Sequence, residues 1–493
     1  MRQINILFLL FLLCSFQSRA QQSIEGFAPK HSNKTAKLNR IVDFSTYRME
    51  VIEKTKIDSL GNFTFNINSE KAFLSVIEID NECGYLYVDP STTKYNFLFP
   101  ENIENLNRFR KSTNQLVFKN LPKNDLNTLI LDFNLRLDYF LYGDTNSLIR
   151  MAKRNQEFRD SLNVFKEKII PLYGNIKKEY LHNYIRYSIA SIEQLTNFKN
   201  SEQSRLLNYN FYLNEMPVLY DNNAYMSFFN QFYENILSIP ESANEEKIKF
   251  AINNYNSLEK LDLALANDYF LKNDRIRELA IINGLSKIFY NKYFNTNNIL
   301  SILNEIELSS KFEEHKKISS YLIQTLTNLN RGTESPTFEL NNQYNESISL
   351  NNQKGKPIYL NFFSTYNTQS LLEMEIIKAL HEKYSKVISF ISISVDKNIT
   401  DYNNYVLNYS DYKWNICHYK YNHQLIEDFK LKSLPKYILI DKNGRIDQAP
   451  AYSPIPDGNN HSIDETFFSI LKTTSPKNEF NVGKKDTRIG GEN

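Results

Sequence analysis

Apolar residues recur along this chain with three different periods, and each period predicts a different kind of element. After the turn cluster Asp58-Ser59-Leu60-Gly61-Asn62, the residues Phe63, Phe65 and Ile67 alternate with polar ones, the period of a half-buried strand. Apolar runs from Phe73 to Ile79, Tyr85 to Val88 and Tyr95 to Phe99 continue the pattern, punctuated by Asp89-Pro90 and Pro100. Short strands divided by polar turns predict an antiparallel β-sandwich-like domain over residues 21–110. Its residues suit a scaffold or a partner contact, and none of them forms a catalytic pattern.

From about Asn124 the period becomes helical. Ile276, Leu279, Ile282, Leu285 and Phe289 recur at three or four and mark one face of an amphipathic helix. The same spacing predicts helices around Leu126–Leu141, Ile185–Leu195, Tyr225–Leu237 and Ile299–Leu308, so residues 120–330 read as an α-helical region. Tyr and Phe dominate its apolar faces. They serve either as helix-to-helix core or as an aromatic groove for a peptide or glycan. No segment of constant length repeats, so a solenoid is not supported.

Beyond Gly332 strands and helices alternate. Ile358–Phe363 and Val387–Val395 are short apolar runs typical of buried strands, and Leu371–Tyr384 between them has helical spacing. Tyr402–Tyr409 reads as helix, Trp414–Tyr419 as strand, His423–Phe429 as helix and Tyr437–Ile440 as strand before the turn Asp441-Lys442-Asn443-Gly444. That order predicts an α/β layer with a mixed sheet over residues 332–474. The whole chain is therefore expected to be a multidomain α+β protein, with a disordered polar tail at 475–493.

The first twenty residues follow another logic. Arg2 precedes an apolar run from Ile4 to Leu13, and Ser18-Arg19-Ala20 offers small residues before Gln21, the pattern of a secretory signal peptide over 1–20. Leu12-Leu13-Cys14 crudely resembles a lipidation site, but Leu13 is too bulky to suit it. No later run approaches the roughly 18 apolar residues of a membrane span. The mature chain is expected in the periplasm or cell envelope, with no transmembrane segment.

Charge and composition then narrow the function. Without Arg2 and Arg19 the chain has 56 basic and 56 acidic residues, which leaves no electrostatic footprint for nucleic acid. Only 13 Gly and 14 Pro argue against fibrous or linker-rich architecture. Cys83 and Cys417 are the thiols left after cleavage, and they fall in separate segments, which predicts two inert single thiols. Cys417, His418 and His423 lack a fourth partner for a metal, and the remaining histidines are scattered. No phosphate loop or nucleophile elbow is present, so no cofactor is implied.

The last segment resembles a known family. Gly332-Thr333-Glu334-Ser335-Pro336-Thr337-Phe338-Glu339-Leu340 is similar to the leading strand of thioredoxin-like domains of the TlpA/ResA and redoxin (AhpC/TSA) type. Lys354-Gly355-Lys356-Pro357-Ile358-Tyr359-Leu360-Asn361-Phe362-Phe363 resembles their GKxxxLNFW strand, and Ser364-Thr365-Tyr366 stands where the family reads Ala-Thr-Trp. Glu373-Met374 matches the Glu-Met beyond the redox motif. Ser433-Leu434-Pro435-Lys436 resembles the cis-proline loop. The β-rich start and helical middle look like exported Bacteroidetes proteins that carry such a domain at the C-terminus. The resemblance implies thiol–disulfide oxidoreductase chemistry and a groove for an extended peptide.

One departure bears on that chemistry. In register, the two cysteines of Cys-x-x-Cys fall on Asn367 and Ser370. Exchange needs a thiolate and a second resolving thiol, and an amide and a hydroxyl supply neither. Both residues suit a helix start instead: Asn is a strong N-cap, and Ser370-Leu371-Leu372-Glu373 has capping-box spacing. The sequence therefore predicts no catalytic residue, a degenerate redox motif at Asn367 and Ser370, and a peptide groove at Tyr366, Asn367, Ser370, Leu434 and Pro435. The expected function is a binding or scaffolding module of the envelope, with an extended peptide or envelope protein as partner. Two alternatives are a thiol-disulfide oxidoreductase or antioxidant-type protein using Cys417 or a partner thiol, and a peptide- or glycan-binding protein using the aromatic helices.

Overall fold

The computed structural model describes residues 21–100, 111–143, 156–196, 202–238, 244–353, 355–458 and 460–474. The expected signal peptide, Cys14, Lys354 and the polar tail lie outside the described residues. The chain divides between Leu326 and Thr327 into two compact units.

Among the described residues of the first unit, nine strands build two sheets. Strands β1 (Gln22–Phe27), β4 (Asn62–Ile67), β7 (Lys94–Leu98) and β9 (Val117–Phe118) form one, in the order β4-β1-β7-β9. Strands β2 (Thr35–Asp43), β3 (Arg48–Lys56), β5 (Phe73–Ile79), β6 (Glu82–Val88) and β8 (Ser112–Asn114) form the other, in the order β3-β2-β5-β6-β8. Ile24, Phe65 and Phe97 of the first sheet pack on Leu38, Ile77 and Leu86 of the second, so the two make the expected sandwich. It is not purely antiparallel, because β1–β7 and β6–β8 pair in parallel. Such pairs join segments far apart in sequence, which local alternation does not register.

The second face of the larger sheet carries the helices. On β5, Phe73, Ile77 and Ile79 face the first sheet while Leu74 and Val76 join the helical core, and every residue of the strand is buried. The helices are α1 (Leu126–Tyr142), α2 (Gln156–Tyr173), α3 (Glu179–Thr196), α4 (Glu202–Tyr212) and α5 (Asn223–Phe232). After them come α6 (Glu245–Phe250), α7 (Leu258–Leu265), α8 (Asp274–Ile288), α9 (Thr296–Ser309) and α10 (Glu313–Thr327). Side-chain oxygens of Asp125, Asn222, Ser257, Asn273 and Asn295 accept first-turn N–H groups and set five of these starts. Helix α5 ends at Phe232, short of the expected Leu237. Tyr187, Tyr212, Tyr225, Phe228, Phe229 and Phe232 are buried in this core, so these aromatics are helix-to-helix packing, not groove lining.

The second unit is an α/β layer. A hairpin of β10 (Glu339–Asn341) and β11 (Ser347–Ser349) precedes β12 (Ile358–Phe363), α11 (Thr368–Tyr384), β13 (Ser389–Ser394), α12 (Ile399–Asn408) and β14 (Asn415–His418). Then follow α13 (His423–Asp428), β15 (Lys436–Ile440), β16 (Ile446–Gln448) and α14 (Ile463–Thr474). The sheet order is β14-β13-β12-β15-β16, parallel across β14, β13 and β12 and antiparallel beyond. Alternate residues choose faces. Tyr359, Phe363, Phe390, Ile416, Tyr437 and Leu439 share one core with Met374 and Ile377 of α11 and Phe467 of α14. Phe362 points the other way, where its ring meets Phe429 after α13 at 5.2 Å.

Candidate functional site

The site lies at the end of the sheet where β12 stops and β15 begins. Phe362 pairs with Lys436 across these antiparallel strands, so the loop after Phe363 and the Leu434-Pro435 turn emerge at the same edge. The Leu434-Pro435 peptide is cis, and both residues are half-buried.

A buried carboxylate organises the first loop. Asp396, just beyond β13, accepts from Ser364 Oγ at 2.5 Å, from the Thr365 N–H at 3.0 Å and from Ser394 Oγ at 2.7 Å. His418 reaches the Asp396 carbonyl through Nε2 at 2.7 Å, while its Nδ1 accepts the Lys420 N–H at 3.0 Å. That second bond requires an unprotonated Nδ1, so the ring is the neutral Nε2–H tautomer. Burial lowers its pKa accordingly. His418 is a structural strut with both nitrogens engaged.

From this loop the chain enters α11. Asn367 has extended backbone angles, and its Oδ1 accepts the Ser370 N–H at 2.7 Å, the geometry of an N-cap. Ser370 is three residues into the helix, and its N–H is already taken. Its Oγ is buried and has no hydrogen-bond partner among the described residues. The capping box read from Ser370 to Glu373 does not form, because the helix starts one turn earlier. Tyr366, by contrast, is 47% exposed at the rim.

Under the first turn, Glu373 is buried and takes hydrogen bonds from Gln369 Nε2 at 2.5 Å and from the Tyr437 hydroxyl. Burial, then the Glu373 carboxylate, pushes the Tyr437 phenol well up. Lys436 is on the opposite face, its Nζ donating to the carbonyls of Phe429 at 2.8 Å and Lys430 at 2.9 Å. Burial, helped by the charges of Lys430 and Lys432, pulls its pKa down to about 8. The Glu373–Tyr437 pair bridges helix and strand and is not evident from either segment alone.

Cys417 does not join this site. It pairs in register with Ile393 on β13, and its neighbour Ile416 belongs to the face packed on α11, so Cys417 points to the other face. It is fully buried, and that burial pushes its thiol pKa up to about 12. The sheet separates this sulfur from the tip of α11. Cys83 belongs to the first unit and is buried in the core under β6. Among the described residues no group of three or more His, Cys, Asp or Glu is arranged to hold a metal ion.

Comparison with known proteins agrees with this geometry. A family model described as thioredoxin-like matches residues 355–446. The thiol-disulfide oxidoreductase ResA of Bacillus thuringiensis subsp. konkukian is 30% identical over 118 residues, which is 24% of this chain and 67% of that protein. The chain belongs to the TlpA/ResA-like thioredoxin-fold family. The Bacillus anthracis ResA is 29% identical over 116 residues, 23% of this chain and 66% of its own length. Among solved structures, a thiol:disulfide interchange protein from Bacteroides sp. is 18% identical with a TM-score of 0.27, covering 32% of this chain and 97% of its own. The thioredoxin domain of a Bacteroides vulgatus thiol-disulfide oxidoreductase is 17% identical with a TM-score of 0.26, covering 30% and 99%.

Membership in the TlpA/ResA-like family rests on the second unit. Within that frame, the start of α11 holds an N-cap amide at Asn367 and a buried hydroxyl at Ser370. No helix among the described residues is long and apolar enough to cross a membrane.

Proposed function

We propose that this chain is an exported member of its family that has given up dithiol–disulfide exchange and serves as a binding or scaffolding module of the cell envelope. The observation that carries the reading is the tip of α11. Asn367 is committed to capping, the buried Ser370 hydroxyl has no hydrogen-bond partner among the described residues, and Cys417, the thiol of this unit, lies on the far face of the sheet. Neither an amide nor a hydroxyl forms the mixed disulfide that exchange requires. The start of α11 and the Leu434-Pro435 turn emerge at one edge of the sheet, and in this reading an extended peptide docks there against Tyr366, Asn367, Ser370, Leu434 and Pro435. Export rests on the sequence of residues 1–20, cut before Gln21, with the mature chain in the periplasm or envelope.

The test is the reduction of insulin disulfides by the purified protein with dithiothreitol as electron source. The expected result is no acceleration over the reductant alone, and acceleration by an Asn367→Cys/Ser370→Cys double variant. Acceleration by the unmodified chain would sink the reading. Labelling with a thiol reagent at pH 8 separates it from an enzyme that uses Cys417. A thiol held near pKa 12 and fully buried is expected to react only after denaturation.

A further inference from the structure

The first unit contains a cleft of about 780 Å³ that the thioredoxin-like site does not explain. Its volume lies within the roughly 300–1,000 Å³ typical of ligand sites. One wall is the end of β2, Phe44 and Glu50 of β3; the other is α10, which contributes Glu314, Lys317, Ile318 and Tyr321. Those four positions are spaced three or four apart and so share one helix face.

Hydrogen bonds between lining residues hold the walls of the cleft. At one end Lys178 Nζ is held by Asp89 Oδ2 at 2.5 Å and Ser91 Oγ at 2.8 Å. Toward α10, the fully buried His315 is clamped between Glu278, at 2.6 Å from Nδ1, and the hydroxyl of Tyr220, at 2.7 Å from Nε2. Tyr220, itself part of the lining, is thereby fixed in place by a residue that solvent does not reach. The Tyr321 hydroxyl donates to Glu50 at 3.2 Å. Walls locked in this way reduce the ordering cost of binding.

The chemistry left over defines the occupant. Lys177, Glu179, Asn183 and Lys317 line the cleft, and none of their side chains makes a hydrogen bond or ion pair among the described residues. Two ammonium groups, one carboxylate and one amide call for a ligand offering acceptors and donors of both signs. Seven lining carboxylates against four lysines disfavour a polyanion, and that charge density disfavours a lipid. A sugar needs open aromatic faces, but Arg275 stands 5.9 Å from the Tyr220 ring centre and Arg48 5.2 Å from that of Tyr321. Buried Phe44, Met226 and Ile318 supply apolar ground for a side chain.

We propose that this cleft binds a short peptide of mixed charge, independently of the groove at α11. The probe is an equimolar random hexapeptide pool presented to the full mature chain, with captured peptides identified by mass spectrometry and one re-measured by fluorescence anisotropy. Asn183→Trp fills the cleft without removing any described hydrogen bond, and is expected to weaken that peptide by at least about tenfold. Lys317→Glu, a charge reversal on an exposed helix face, is expected to weaken peptides with an acidic side chain more than the same peptides with Asp or Glu changed to Asn or Gln. Circular dichroism melting checks that both variants fold. The proposal is overturned if no hexapeptide is enriched, or if folded Asn183→Trp keeps full affinity. It also falls if chitohexaose binds the cleft and no peptide does.

Discussion

The amide of Asn367 takes one of the orphan N–H groups at the start of α11, a contact of a kind that contributes about 1 kcal/mol. Lys436 is subject to the opposite balance. Its amine keeps two carbonyl partners whether or not it is charged, because a neutral amine still has two N–H bonds to donate. Folding therefore favours the neutral form, and the unfolded chain holds the extra proton between pH about 8 and 10.5. Stability contributed by this group is absent below pH 8 and rises with pH through that window. Urea unfolding at several pH values is expected to show this rise in the native chain relative to Lys436→Met, whose curve lacks it. Equal pH slopes for the two proteins would remove the argument.

At the scale of elements, packing overrides propensity where helices approach closely. Gly284 lies inside α8, where alanine would gain about 1 kcal/mol of helix propensity. A Cβ there would meet Leu237 Cγ at 2.7 Å and Ile236 Cγ2 at 3.2 Å, and both neighbours are buried. Overpacking of this kind costs about 1–3 kcal/mol, so Gly284→Ala is expected to lower the unfolding midpoint in urea and Gly284→Val to lower it further. An alanine variant more stable than the native chain would show that α8 has room to move.

Elements with clean periods were legible in the sequence: β12, β13, α11 and α8 follow from apolar spacing, and Asn367 from its suitability as a cap. Others were hidden for physical reasons. The buried face of α10 contains His315 and Ser319 among Ile318, Leu322 and Leu326, so its polar members blur the stripe. Strand β3 is exposed along most of its length and shows no alternation to read. In the site, Glu373 and Tyr437 are 64 residues apart and meet only because β15 returns beside β12. The cleft of the first unit was invisible because its walls come from strands and helices that no local pattern joins.

On the scale of the whole molecule, the division at Leu326/Thr327 predicts that the second unit folds alone. A fragment spanning residues 327–474 contains its own apolar core on α11 and α14, and is expected to be monodisperse with one cooperative thermal transition. A molten fragment, lacking near-ultraviolet dichroism, would show that the core is completed by the rest of the chain. Family membership is decided in this unit, whereas most of the residues and the cleft of about 780 Å³ lie in the other.

The placement of the two sulfurs has one more consequence. Cys83 and Cys417 are each sealed in the interior of a different unit. Neither is available to glutathione, peroxide or a neighbouring chain while the fold persists. These two thiols therefore stay in the same covalent state under oxidising and reducing conditions while each unit is folded.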